Sequence, residues 1–223
     1  MARLRPVAFL PVFLLFLFFQ ISIVAQDNKG TANTHYYYRF ANPKFLISKL
    51  EIEFDGTGEG TIKFTEQDHD DVENKFTLSP TTVASFAASF DEMDFLKKKE
   101  KFQTPKDYSH MGTATVKFRR GDEEYETTFN YTESKQMMDL WAKFRAVENQ
   151  EYSLFKLDVA LHYQPLDTPS QLKWIEGMLK DKKIAEPQRF LPVLNQIATN
   201  DQMLTIARNQ AKKMIEMIEL GKK

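Results

Sequence analysis

The side chains that could do chemistry are scattered along this chain. His35, His69, His110 and His162 are its four histidines. No two of them stand four apart, as paired metal ligands on one helix face would. There is no cysteine, so a zinc site would need histidine and carboxylate alone, and His69 and His110 folded together with acids are the pair that could supply one. The densest acidic run is EQDHDDVE, residues 66–73. Asp68 and Asp70 have calcium-loop spacing, but Val72 occupies the next ligand position and the glycine of the sharp turn is missing. The run reads as a solvated connection. FDGTGEGTIKF, residues 54–64, clusters three glycines with Asp55 and Glu59. A phosphate loop leads into a helix and carries a lysine and a hydroxyl residue. These glycines lead into an alternating run instead, and the two acids would repel phosphate, so the stretch reads as a hairpin turn. No G-x-S-x-G is present, and Asp55-Gly56-Thr57 reverses the order of an aspartic-protease motif. The expectation is no catalytic residue, no metal and no cofactor.

Residues suited to binding are more conspicuous. Tyr36, Tyr37 and Tyr38 run together, and tyrosine offers an apolar ring with a hydrogen-bonding tip. In a strand their side chains must face alternately inward and outward. Lys97, Lys98 and Lys99 follow a helical pattern, and Arg119 and Arg120 sit on a later hairpin. These eight are the candidate binding residues, for a surface glycan or another envelope protein. Net charge is -1 over the whole chain and -3 without residues 1–25, which argues against nucleic acid as a partner.

The elements that position these residues follow from periodicity. Leu50, Ile52 and Phe54 share one strand face, and Ile62 and Phe64 resume it after the glycines. Phe76 and Leu78 suggest a third strand. Ser79-Pro80 opens a helix whose stripe is Val83, Phe86, Phe90 and Met93. Ala114, Val116 and Phe118 alternate, as do Tyr125, Thr127 and Phe129, forming a second hairpin. Asn130 with Glu133 has capping-box spacing before the stripe Met137, Leu140, Trp141, Phe144 and Val147. That helix continues to about Leu161, whole or broken near Asn149 and Gln150. Thr168-Pro169 starts another helix, Pro187 a third, and Asn200 or Asp201 caps the last. The fold class is therefore α+β: an antiparallel sheet of two hairpins and an extra strand, covered by two helices, then a helical C-terminal tail.

At the N-terminus, Arg3 and Arg5 precede the run from Val7 to Phe19, all apolar or proline. Ser22, Ile23, Val24 and Ala25 follow, then the polar Gln26 and Asp27. This reads as a signal peptide cleaved near Ala25. The expected organisation is a signal peptide at 1–25, a flexible segment at 26–43, an α+β domain at 44–163 and a helical unit at 164–223. The lack of cysteine in an exported chain fits a bacterial periplasm or surface.

Two resemblances accompany this reading. FLPVLNQIATNDQMLTIARNQAKKMIEMI, residues 190–218, resembles one HEAT-type helical pair, which implies helical-hairpin packing. Residues 44–148, with D-G at the first turn and an L-S-P helix start, resemble small α+β domains of unknown function in exported bacterial proteins. Neither resemblance brings site residues with it. The expected function is a non-catalytic binding or structural protein of the bacterial envelope, periplasmic or secreted, without membrane insertion after cleavage. The alternative is an envelope hydrolase with a dispersed carboxylate and histidine site.

Overall fold

The computed structural model describes residues 33–221. The expected signal peptide, and residues 26–32 of the segment after it, lie outside the described residues. Six strands form one antiparallel sheet: β1 Thr34–Ala41, β2 Ile47–Asp55, β3 Glu59–Glu66, β4 Asp71–Thr77, β5 Thr113–Arg120 and β6 Glu123–Phe129. Their order is β4-β3-β2-β1-β5-β6, with antiparallel pairing throughout. Alternation makes one face apolar. Tyr36, Tyr38, Leu50, Ile52, Phe64, Val116 and Phe118 are all buried on it. The other face carries His35, Arg39, Glu53, Lys63 and Arg119, all exposed.

One strand lies where a flexible segment was expected. β1, inside residues 26–43, is a central strand paired with both β2 and β5. The reason is local: Tyr36, Tyr38 and Phe40 alternate inward with 2%, 0% and 5% exposure, enough apolar surface to order the chain.

Two helices cover the apolar face. α1, Pro80–Glu92, starts at Ser79, whose hydroxyl accepts from Thr82 N–H, with proline in the first turn. α2, Lys135–Tyr163, runs unbroken through Asn149 and Gln150. Its cap is Ser134, which accepts from Met137 N–H, and not the expected Asn130. Asn130 is engaged elsewhere, accepting from Tyr108 N–H and Gln103 Nε2. Phe144 of α2 stacks on Tyr38 with ring centres 5.0 Å apart. The β2–β3 turn is structural: Gly58 has φ +91°, and a Cβ there would come within 2.4 Å of Leu78 O.

The tail contains α3 Thr168–Lys180, α4 Leu191–Thr199 and α5 Thr205–Leu220. Leu172, Ile175, Phe190, Leu194, Ala207, Ala211 and Met214 form a second core cluster. Leu157 of α2 belongs to this cluster, while Phe144 and Val147 of the same helix belong to the first. α2 thus runs from one core into the other. Two expected caps are displaced. Thr168 is already inside α3, flanked by Asp167. α5 begins only at Thr205, because Asn200 Oδ1 accepts from Gln202 N–H and closes a turn first. No helix among the described residues is long and apolar enough to cross a membrane.

Candidate functional site

The eight residues singled out from sequence do not converge. Tyr36 and Tyr38 are core residues beneath the helices. Burial pushes the Tyr36 phenol up to about 12 and raises that of Tyr38 as well, so both stay neutral. Tyr37 alone faces outward, with Lys117 Nζ 5.3 Å from its ring centre. Arg119 and Arg120 point to opposite faces, as neighbours in a strand must. Arg120 is held by Asp91 at 2.7 Å and lies over the Phe118 ring. Lys97, Lys98 and Lys99 are exposed around a short helical turn, Phe95–Lys98. Tyr37 and Arg119 do share a shallow polar hollow of 600 Å³ on the open sheet face, with His35, Lys117, Glu53 and Glu124. Its cations and carboxylates largely balance one another.

A different surface is built more like a site. Two hollows of 1130 and 830 Å³ lie along α2 where α3 and the β1–β2 connection approach it. They share Arg145, Asn149, Ser170, Trp174 and Met178, and so form one groove. α2 provides one wall through Met138, Trp141, Arg145, Asn149, Tyr152 and Lys156, at steps of three and four that place them on one stripe. α3 provides Ser170, Lys173, Trp174, Gly177 and Met178 at the same spacing. Phe45 and Leu46, before β2, close one end.

The groove is apolar where it is open. Trp174 is 64% exposed, Leu46 64%, Phe45 46% and Met138 42%. Both tryptophans of the chain line it. Trp141 donates its indole N–H to the Tyr38 hydroxyl at 2.8 Å, which fixes the ring as a floor. Tyr152 donates to Glu66 Oε1 at 2.8 Å, and Lys156 reaches the same oxygen at 3.3 Å. Burial, reinforced by Glu66, raises the Tyr152 phenol.

One charged group is set into this wall. Glu148 is 7% exposed. Arg145 Nε stands 3.1 Å from its Oε2, yet that oxygen receives no hydrogen bond. Burial pushes the Glu148 carboxyl above the usual range, with Arg145 pulling the other way. Arg145 also lies over the Phe40 ring, 5.6 Å from its centre. Around the Trp141–Trp174 half the rim is basic. Lys173 and Lys182 have no ion pair among the described residues, while Lys183 pairs with Asp181 at 3.2 Å.

Chemically, such a groove can take apolar side chains and meet a polar group at its middle. A single buried carboxylate beside an arginine is not an acid–base pair. His35, His69, His110 and His162 are all absent from its walls. Among the described residues no group of three or more histidines and carboxylates is placed to hold a metal ion. Sequence reasoning missed this site because it followed polar residue types. The available signal was Trp174, a large aromatic lying off the buried stripe of its own helix. No family model matches the chain, and no curated protein sequence does either.

Proposed function

We propose that this is a non-catalytic binding protein of the bacterial cell envelope, and that the groove along α2 receives an apolar segment of a partner polypeptide. The carrying observation is the grouping of Trp174, Phe45, Leu46 and Met138. Large apolar side chains exposed singly are ordinary, whereas a contiguous set lining a concave surface marks an interaction site. Tryptophan and methionine suit such a surface, the first by its rigid area and the second by its adaptability. Export is supported by Arg3, Arg5 and the apolar run to Phe19. The envelope-hydrolase alternative has less support in this groove, whose carboxylates Glu66, Glu148 and Asp181 have no histidine beside them in its walls.

The test is site-specific photo-cross-linking in the host. A photoreactive residue is placed at Leu46 or Trp174, and as a control at Lys63 on the open sheet face. The reading expects one discrete adduct from both groove positions and none from Lys63, with all three proteins recovered from the envelope fraction. Equal labelling from Lys63, or recovery in the cytoplasm, would overturn it.

A further inference from the structure

We infer that the partner segment is acidic and amphipathic, with apolar side chains seated on Trp141, Trp174 and Met138 and carboxylates facing Arg145, Lys173 and Lys182; this rests on the groove being the binding site. The argument is charge complementarity along one wall. The protein as a whole is slightly acidic, yet the Trp141–Trp174 half is lined by Arg145, Lys173, Lys182 and Lys183 against a single acid, Asp181. That acid is already engaged with Lys183. Lys173 and Lys182 therefore stand uncompensated beside exposed apolar surface. A basic segment would meet like charge on entering. A neutral one would leave these ammonium groups beside an apolar ligand with less water around them, which carries a cost. An acidic one compensates both.

Arg145 adds position to charge. It borders both hollows, and its side chain is 43% exposed. Its ion pair with Glu148 lacks hydrogen-bond alignment, so its planar fork of donors suits a carboxylate arriving from the groove. Contacts of this kind set partner choice and association rate more than raw affinity.

The probes are two short synthetic peptides with one apolar core, Leu and Phe at helical spacing, flanked by Glu in one and by Lys in the other. Emission from Trp141 and Trp174 reports binding, since the chain has no other tryptophan. The Glu-flanked peptide is expected to shift the emission and to bind about tenfold more tightly than the Lys-flanked one, the scale of a few exposed ion pairs acting together. Added salt should narrow the gap. K173E/K182E changes two exposed charges, with folding checked by circular dichroism, and should reverse the preference. Equal binding of both peptides with no effect of the double variant would overturn the charge inference and leave the groove reading standing. No emission change with either peptide would overturn both. A shift with oleate and with neither peptide would make the groove a lipid site, which also overturns the inference.

Discussion

The helix α2 joins the sheet layer to the tail along two seams, and the two are built oppositely. One seam is closed and polar. Gln150 donates to Glu151 at 2.8 Å and accepts from the Glu186 N–H at 2.6 Å. Arg189 pairs with Glu151. The Glu186 carboxylate accepts from Ser79 N–H at 2.7 Å and from the Thr82 hydroxyl at 2.6 Å, so the start of α1 is capped from a residue 107 positions away. The other seam, on the stripe of the same helix that carries Arg145 and Asn149, is the groove. There Glu148 Oε2 goes without a hydrogen bond and Trp174 is mostly in solvent. Buried polar groups that are all satisfied fix one arrangement. A seam left open and apolar is unfinished as structure and suited to a ligand. The difference gives tail attachment to the first seam and leaves the second as the place for the proposed binding.

The largest effect should come from the closed seam. Arg189→Met removes the partner of Glu151, which is 6% exposed, and leaves a buried carboxylate unpaired. Breaking such a pair costs about 3 kcal/mol, which urea melts would record as a lower midpoint. A change under about 0.5 kcal/mol would show that the seam does not hold the tail.

A smaller, pH-dependent effect is expected at Glu186. Burial raises its pKa, but the hydrogen bonds from Thr82 and Ser79 outweigh that, so the net shift is downward. A depressed folded-state pKa stabilises above the unfolded value near 4.3 and loses that contribution as pH falls through the folded value. Glu186→Gln should therefore destabilise by about 1 kcal/mol at neutral pH, and the gap from the wild type should narrow as pH falls below the unfolded value and through the lower folded one. Melts at a series of pH values measure the gap. A gap that persists unchanged in acid would mean that ionised Glu186 contributes nothing.

How much of this was legible in the sequence differs between the two seams. The sheet faces and α1 were, because alternation and the 3–4 spacing of Val83, Phe86 and Phe90 encode burial directly. β1 falls in the segment expected to be flexible, although core or edge-strand packing is the favoured sequence reading of the three tyrosines, because the polar run before them and Pro43 after them leave too short a stretch of alternation to show a central strand. The three expected caps misled for different reasons: Asn130 is taken up by Gln103 and Tyr108, more than 20 positions away, Thr168 lies inside a helix that starts from Asp167, and Asn200 closes a turn, which a short polar side chain does as readily as cap a helix. The closed seam joins residues more than 30 positions apart, as Gln150 and Glu186 are, and no periodicity connects them. The groove was hidden for a related reason. Trp141 looked like core, and Trp174 acquires its meaning only when α3 is laid beside α2.

Within the groove the expected stability effects are smallest. Trp174→Ser removes a side chain 64% exposed, and surface changes of this kind stay within about 0.5 kcal/mol. Function should respond in the opposite sense, since exposed aromatic anchors carry a large share of binding energy.

The most direct test of that division joins both readouts in one variant. Trp174→Ser is compared with the wild type for its urea midpoint and for binding of a fluorescently labelled Glu-flanked peptide, read by anisotropy. An unchanged midpoint with at least about a tenfold loss of affinity, roughly 1.4 kcal/mol, is the predicted result. A lowered midpoint corresponding to about 2 kcal/mol of lost stability, the range of lost core packing, with peptide affinity retained would contradict it, making Trp174 a cover for the tail and the groove a structural seam like the other.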